Sequence, residues 1–190
     1  MERFYTGIGS RETPMAIALL MTRAAFILAR MGWRLRSGGA DGADHAFGVG
    51  ALGGLREYGV VPEIYLPWGG FSDLWPDEAS GLINTPALEN YEQAKSIILT
   101  LRPDLETRRG PLALHTRNVY QVLGRSLDLP SRKLLCWAPP VGKQGYVKGG
   151  TNTAVRLALQ HQVPVLNLYR DEDCRIVEAF IERHELPLAA

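Results

Sequence analysis

An α/β fold built on a mainly parallel sheet, with helices on both faces, is what this sequence predicts, and three observations carry it. Short runs rich in aromatic and β-branched residues alternate with longer stretches whose apolar residues recur at helical spacing. Glycine-rich turns stand where strands hand over to helices, at Gly7-Ile8-Gly9-Ser10-Arg11, at SGGADGAD (Ser37 to Asp44) and at Lys148-Gly149-Gly150-Thr151. The composition, 46% apolar and 22% charged over 190 residues, is enough for one substantial core. A single domain over residues 1–190 is expected, since no repeat, low-complexity tract or linker divides the chain.

Each element follows in order. Arg3 to Ile8 reads as a buried strand. Thr13-Pro14 starts a helix, because proline's fixed φ and missing N–H suit the first helical position. That helix runs from about Pro14 to Met31 and stops at Gly32, with Ile17, Leu20, Ala24, Ile27, Leu28 and Met31 on one apolar face. Trp33 to Arg36 is the second strand. SGGADGAD then opens a glycine- and alanine-rich helix to about Leu55, whose small residues permit close approach to the sheet. Glu63 to Leu66 is the third strand, stopped by Pro67. From Trp68 to Thr85 periodicity fails and WGGFSDLWPDEASGLINT reads as a long loop. Thr85-Pro86 restarts a helix towards Ile98, Leu101 to Pro111 is irregular, and a helix from about Leu112 to Leu127 carries HTRN. Lys133 to Ala138 is the fourth strand, followed by the glycine-rich loop PPVGKQGYVKGG. A helix from about Asn152 to Gln162, a strand from Val163 to Leu168 and a helix from Asp173 to His184 close the chain.

Right-handed crossovers then leave few arrangements, and a Rossmann-like, doubly wound sheet is the simplest. In that order the first strand lies beside the fourth, and ligands bind where the order reverses, outside the carboxyl ends of the strands. Gly9, Ser10 and Arg11 are thereby set against Lys148, Gly149, Gly150 and Thr151, with Ser37, Gly38, Gly39, Asp41, Gly42 and Asp44 close by.

These loops can present backbone N–H groups at helix N-termini, where unpaired donors and partial positive charge suit a phosphate. Arg11 offers a bidentate contact, Lys148 a point charge, and Ser10, Thr151 and Thr153 hydroxyls. The glycines also have a plainer use in tight turns and close packing; their recurrence at equivalent strand ends favours a ligand.

Other chemistries are disfavoured. Gly142-Lys143-Gln144 lacks the Ser or Thr of a P-loop, and Glu12 stands where the dinucleotide-binding fingerprint needs its third glycine. The four histidines have no metal-ligand spacing, so neither metal nor cofactor is expected. Lysine and arginine exceed aspartate and glutamate by one, which argues against a broad basic face for nucleic acid. Cys136 and Cys174 suit buried thiols in a reducing compartment, and the amino-terminal residues lack signal-peptide zones. The apolar run from Met15 to Met31 is broken by Arg23 and Arg30, so no membrane span and a cytoplasmic location are expected.

GIGSRET, SGGADGADHAFGVGAL, TRN and KGGTNTAVRLA together resemble the SLOG superfamily of Rossmann-like nucleotide-binding proteins, in its DprA/Smf-like branch. The resemblance spans Tyr5 to Leu168, and its most specific part is the GSR…SGGADGAD pairing. It implies a nucleotide or phosphorylated nucleoside as ligand, Arg117 and Asn118 as further binding residues, a homo-oligomer, and a bacterial or phage source. It also implies two alternatives. One is a nucleotide N-glycosidase of the phosphoribohydrolase type, acting in the same pocket; the other is single-stranded DNA binding as a recombination mediator, which the near-neutral charge disfavours. The hydrolase motif PGGxGTxxE departs here: the glycine before its threonine is Asn152 and its catalytic glutamate is Arg156. A hydrolase in this chain therefore needs another acid, for which Asp44 or Asp41 is the candidate. Both aspartates equally suit the capping of helix N–H groups, and Asp44 a ribose hydroxyl. Trp68 and Phe71 of PWGGF are candidates for stacking on a base, or for anchoring the long loop.

Overall fold

The first strand, β1 (Arg3–Gly9), is buried from Phe4 to Ile8 and runs through the middle of the sheet. In the computed structural model, which describes residues 2–185, it pairs in parallel with β2 (Trp33–Ser37) on one side and β5 (Leu134–Trp137) on the other. β3 (Glu63–Leu66) and β4 (Leu82–Asn84) extend one edge, and β8 (Val165–Asn167) forms the other. The order of this six-stranded sheet is β4-β3-β2-β1-β5-β8, and every pairing is parallel. The chain order reverses between β1 and β5, the juxtaposition expected of the first and fourth predicted strands. β6 (Pro140–Val141) and β7 (Tyr146–Val147) make a separate antiparallel hairpin.

Among the described residues six α-helices cover the sheet: α1 (Met15–Arg30), α2 (Ala43–Tyr58), α3 (Tyr91–Leu101), α4 (Arg109–Leu123), α5 (Thr151–Gln160) and α6 (Asp171–His184). The alternation of side chains along a strand divides the core in two. Tyr5, Leu35, Ile64 and Leu135 pack with α1, α2 and α6, whereas Ile8, Tyr65, Leu134 and Cys136 pack with α3, α4 and α5. This is the Rossmann-like α/β architecture.

The small residues of α2 serve mainly a helix, not the sheet. A Cβ at Gly50 would run into the carbonyl oxygen of Thr22, and one at Gly54 into the side chain of Ala29, both on α1. The two helices therefore approach more closely than side-chained positions allow, with Phe47 of α2 fully buried against Tyr5 at a ring separation of 6.4 Å.

The predicted elements are corrected in four places. The long loop hides β4, an edge strand of three residues too short for periodicity to reveal. It is introduced by an Asp77-capped turn and by Gly81, whose φ of 78° and contact with the Pro62 carbonyl exclude a side chain. Thr85–Ala87 is one 3-10 turn, not the start of a helix: Thr85 is held by its hydroxyl bond to the Leu66 carbonyl, Leu88 turns extended, and α3 begins at Tyr91. α4 begins at Arg109, earlier than expected, and stops at Leu123 because Gly124 turns to a φ of 79°. The loop PPVGKQGYVKGG contains the β6–β7 hairpin. Among the described residues no helix is long and apolar enough to cross a membrane.

Candidate functional site

At the carboxyl ends of β1 and β5, where the strand order reverses, lies a cleft of about 550 Å³. The segment Ile8 to Glu12 forms one wall, and Lys148 to Thr151 the opposite one. Ala40 and Asp44 reach it from the turn and helix after β2, while Leu114, His115, Arg117 and Asn118 reach it from α4, and Pro139 from the segment after β5.

Asp44 braces the two amino-terminal loops. Buried in the first turn of α2, it accepts the amide of Gly9 on one carboxylate oxygen (3.1 Å) and the amide of Gly38 on the other (3.2 Å). Burial pushes its carboxyl above the usual value, opposed by the charge of Arg117 and by the Gly9, Gly38 and Ala40 amides. Each oxygen faces a donor, which is the arrangement of an ionised carboxylate.

Arg117 is buried beside this brace. Its Nη2 lies 3.9 Å from the Asp44 carboxylate, its Nη1 donates to the Gly38 carbonyl, and its guanidinium sits over the Phe71 ring at 4.7 Å from the centroid. Among the described residues its buried Nε has no hydrogen-bond partner. Burial holds the guanidinium below its usual pKa, Asp44 opposes this, and the neighbouring charge of Arg11 reinforces it. Gly38 is a glycine because a Cβ there would lie 2.7 Å from the Arg117 guanidinium carbon.

Several amide donors of the first two loops are spent inside the protein. Ser10 N–H donates to the Trp137 carbonyl (2.9 Å), Glu12 N–H to the Ser10 hydroxyl (3.1 Å) and Ala43 N–H to the Ser10 carbonyl (3.2 Å). Gly42 permits that last contact: its φ is 78°, and a Cβ would collide with the Ser10 carbonyl oxygen. Lys148 N–H donates to the Pro139 carbonyl, but among the described residues no acceptor takes the amides of Gly149, Gly150 and Thr151, which line the cleft at the start of α5. Asn118 supports this turn by donating from Nδ2 to the Gly150 carbonyl (3.2 Å).

Of the residues singled out from the sequence, Gly9, Ser10, Arg11, Asp44, Arg117 and Asn118 line the cleft, as do Lys148, Gly149, Gly150 and Thr151. Ser37, Gly38, Gly39, Asp41 and Gly42 do not. Ser37 donates its hydroxyl to the Gly7 carbonyl (2.7 Å), Gly39 takes a φ of 66° against Leu74, and Asp41 is exposed outside the cleft. Thr153 stands behind the lining, 2.7 Å from Nδ1 of His115. Trp68 and Phe71 are also outside it: Phe71 is buried with one face under Arg117, and Trp68 meets it edge to face at 5.2 Å. The pair anchors the loop onto Arg117. Arg156, at the place of the hydrolase glutamate, turns elsewhere, over the Tyr146 ring and towards the Leu101 carbonyl.

His115 is a lining residue that the sequence reading weighed only as a metal ligand. Burial, with help from Arg102, Arg117 and Arg108 and against Asp104, lowers its imidazole from 6.5 to about 4, so the ring is neutral at pH 7. The usable signal was its place three residues before Asn118, on the same helix face. Glu12 was likewise read only as a departure from a glycine motif; it is exposed at the rim. Among the described residues, no group of three or more His, Cys, Asp or Glu side chains is arranged to hold a metal ion.

No family model matches this chain, and no curated protein matches it. Solved structures similar to it include the molybdenum cofactor (Moco) carrier protein of Chlamydomonas reinhardtii, at 18% identity over 97% of this chain and 87% of that one, with a TM-score of 0.49. DNA processing protein A of Helicobacter pylori, described for its single-stranded DNA binding, is similar at 13% identity over 97% of this chain and 82% of that one, with a TM-score of 0.39. At this distance the similarity concerns the layered parallel sheet and not the ligand.

Proposed function

We propose that the cleft binds a nucleotide or phosphorylated nucleoside by its phosphate, the ligand class implied by the resemblance to DprA/Smf-like members of the SLOG superfamily. The observation that carries this reading is the row of unpaired amides at Gly149, Gly150 and Thr151, facing a cleft that Arg11 and Lys148 also line. An acceptor-only anion satisfies such donors, and the positive end of the α5 dipole favours it further. The volume suits a ligand of nucleotide size rather than an ion alone.

Binding is favoured over hydrolysis. Both Asp44 oxygens are engaged by backbone amides, which makes it a brace and not a free acid, and Arg156 supplies no carboxylate. Release of free base from a nucleotide panel, abolished by Asp44→Asn, is the result that would install the N-glycosidase reading instead. Anisotropy titrations with oligonucleotides address the DNA role, for which tight binding with a steep salt dependence is the signature.

Calorimetric titration with AMP, ADP-ribose and cyclic di-AMP tests the proposal. At least one ligand should bind, and Arg11→Ala or Gly150→Asp should weaken it by roughly tenfold or more. Gly150 has ordinary helical dihedrals (φ −64°, ψ −29°) and its nearest neighbour to an added Cβ is 4.0 Å away, so the aspartate acts by its charge and not by strain. Silence towards the whole set overturns the reading.

A further inference from the structure

We propose that His115 is a ligand-binding donor of this cleft: its ring carries its proton on Nε2 and donates a hydrogen bond from it to a phosphoryl oxygen seated at the start of α5. The inference rests on the nucleotide reading above and adds to it a residue and a tautomer.

The tautomer follows from Thr153. That residue is 2% exposed, and among the described residues its hydroxyl meets one hydrogen-bonding partner, Nδ1 of His115 at 2.7 Å. A hydroxyl has a single hydrogen to donate. If Nδ1 carried the ring proton, it would donate to Thr153 Oγ1, and the threonine hydrogen would be buried with no acceptor, forfeiting a hydrogen bond. If Thr153 donates to Nδ1 instead, the hydroxyl hydrogen and the ring nitrogen are both satisfied. The proton of the neutral ring is then on Nε2.

Position supplies the rest. His115 lines the cleft, its Nε2 makes no hydrogen bond within the described chain, and its Cε1 lies 4.0 Å from where a Cβ on Gly150 would stand. Its helix neighbour Asn118, three residues on, reaches the Gly150 carbonyl. Two side chains of α4 thus meet the first turn of α5, one holding its backbone and the other beside its free amides. A neutral N–H there matches a phosphoryl oxygen, which accepts and never donates. It adds a directed contact without a further cation beside Arg117, Arg102 and Arg108, whose charges already act on the ring.

Two measurements test this. In the ligand-free protein at pH 7, long-range proton–nitrogen correlation spectra of the imidazole should show Nδ1 unprotonated and Nε2 protonated; the opposite tautomer overturns the inference. In calorimetric titrations with AMP at pH 7, His115→Ala should lose roughly tenfold to a hundredfold in affinity, and His115→Gln, which keeps an N–H, should recover part of it. Thr153→Val should weaken AMP several-fold although Thr153 lies behind the lining, and should shift the ring spectrum to mixed tautomers. Thermal unfolding checks that each variant is folded; should His115→Ala fail there, the glutamine and Thr153→Val variants decide. Wild-type affinity in the folded variants overturns this inference alone, whereas a wild-type chain silent towards AMP, ADP-ribose and cyclic di-AMP overturns the nucleotide reading and this one together.

Discussion

Two buried arginines of this molecule are built from the same parts and differ in how completely they are satisfied. Arg36, on β2, lies over the Phe4 ring at 3.7 Å, donates from Nε to the Glu63 carboxylate at 2.7 Å and from Nη1 to the Leu129 carbonyl at 2.6 Å. Glu63 in turn accepts the Tyr65 hydroxyl at 2.7 Å. Arg117, on α4, lies over Phe71, but its carboxylate stands off at 3.9 Å and among the described residues its Nε has no partner. A buried charge that is fully paired and hydrogen-bonded stabilises one arrangement of the chain. One left partly unpaired at the wall of a cleft keeps donor capacity and positive potential for something else. The first cluster therefore belongs to the fold, while the second lines the cleft.

The widest separation between the two should come from removing each arginine. Arg36→Met leaves the partly buried Glu63 without its closest cation and should destabilise the protein by about 3–5 kcal/mol in urea unfolding. Arg117→Met leaves Asp44 its amide donors and should cost only about 1–2 kcal/mol, while abolishing measurable binding of the cleft ligand. Equal stability losses, with binding untouched by Arg117→Met, would erase the distinction.

A smaller effect sharpens the role given to Asp44. Asp44→Asn places an NH2 group against one of the two amides that the carboxylate accepted, donor facing donor. The expected loss is about 2 kcal/mol in thermal or urea unfolding, with hydrogen exchange quickening at Gly9 or Gly38. A neutral outcome would mean that the carboxylate is held for chemistry and not for bracing the loops.

The smallest effect is in pH. The folded-state pKa of His115 is depressed, from 6.5 to about 4, so the native protein binds this proton less tightly than the unfolded chain does. Its contribution to stability is complete above pH 6.5 and is lost as the pH falls through 4. Because the ring is only partly shielded from water, the loss should be about 1–2 kcal/mol, seen as the difference between wild type and His115→Gln in urea midpoints at pH 7 and pH 4. Parallel pH profiles for the two proteins would remove the basis for a depressed value.

Much of the architecture was legible because it depends on local chemistry. The apolar face of α1, the stop at Gly32, the buried run at Leu134–Trp137 and the glycine-rich turns are properties of neighbours in the chain. From them the alternation of strands and helices follows, and with it the meeting of β1 and β5. β4 was illegible because its three residues become a strand only when β3 offers them a ladder. The end of α4 was overrun for a different reason: Gly124 carries the ordinary signal for a helix stop, and the apolar residues beyond it carry the periodicity past that point.

By itself, then, the order of residues determined the α/β layering, the central place of the first strand and the set of loops gathered at its carboxyl end. Only the tertiary structure decided which of their donors remain free. Asp44, Trp137 and Pro139 consume the amides of Gly9, Gly38, Ser10 and Lys148, while among the described residues no acceptor takes those of Gly149, Gly150 and Thr151. Likewise it took Phe71 out of the cleft and under Arg117, and brought His115 in against Thr153. The reason is physical: a turn's sequence states how many hydrogen-bond donors it holds, whereas their availability depends on acceptors contributed by residues distant in the chain.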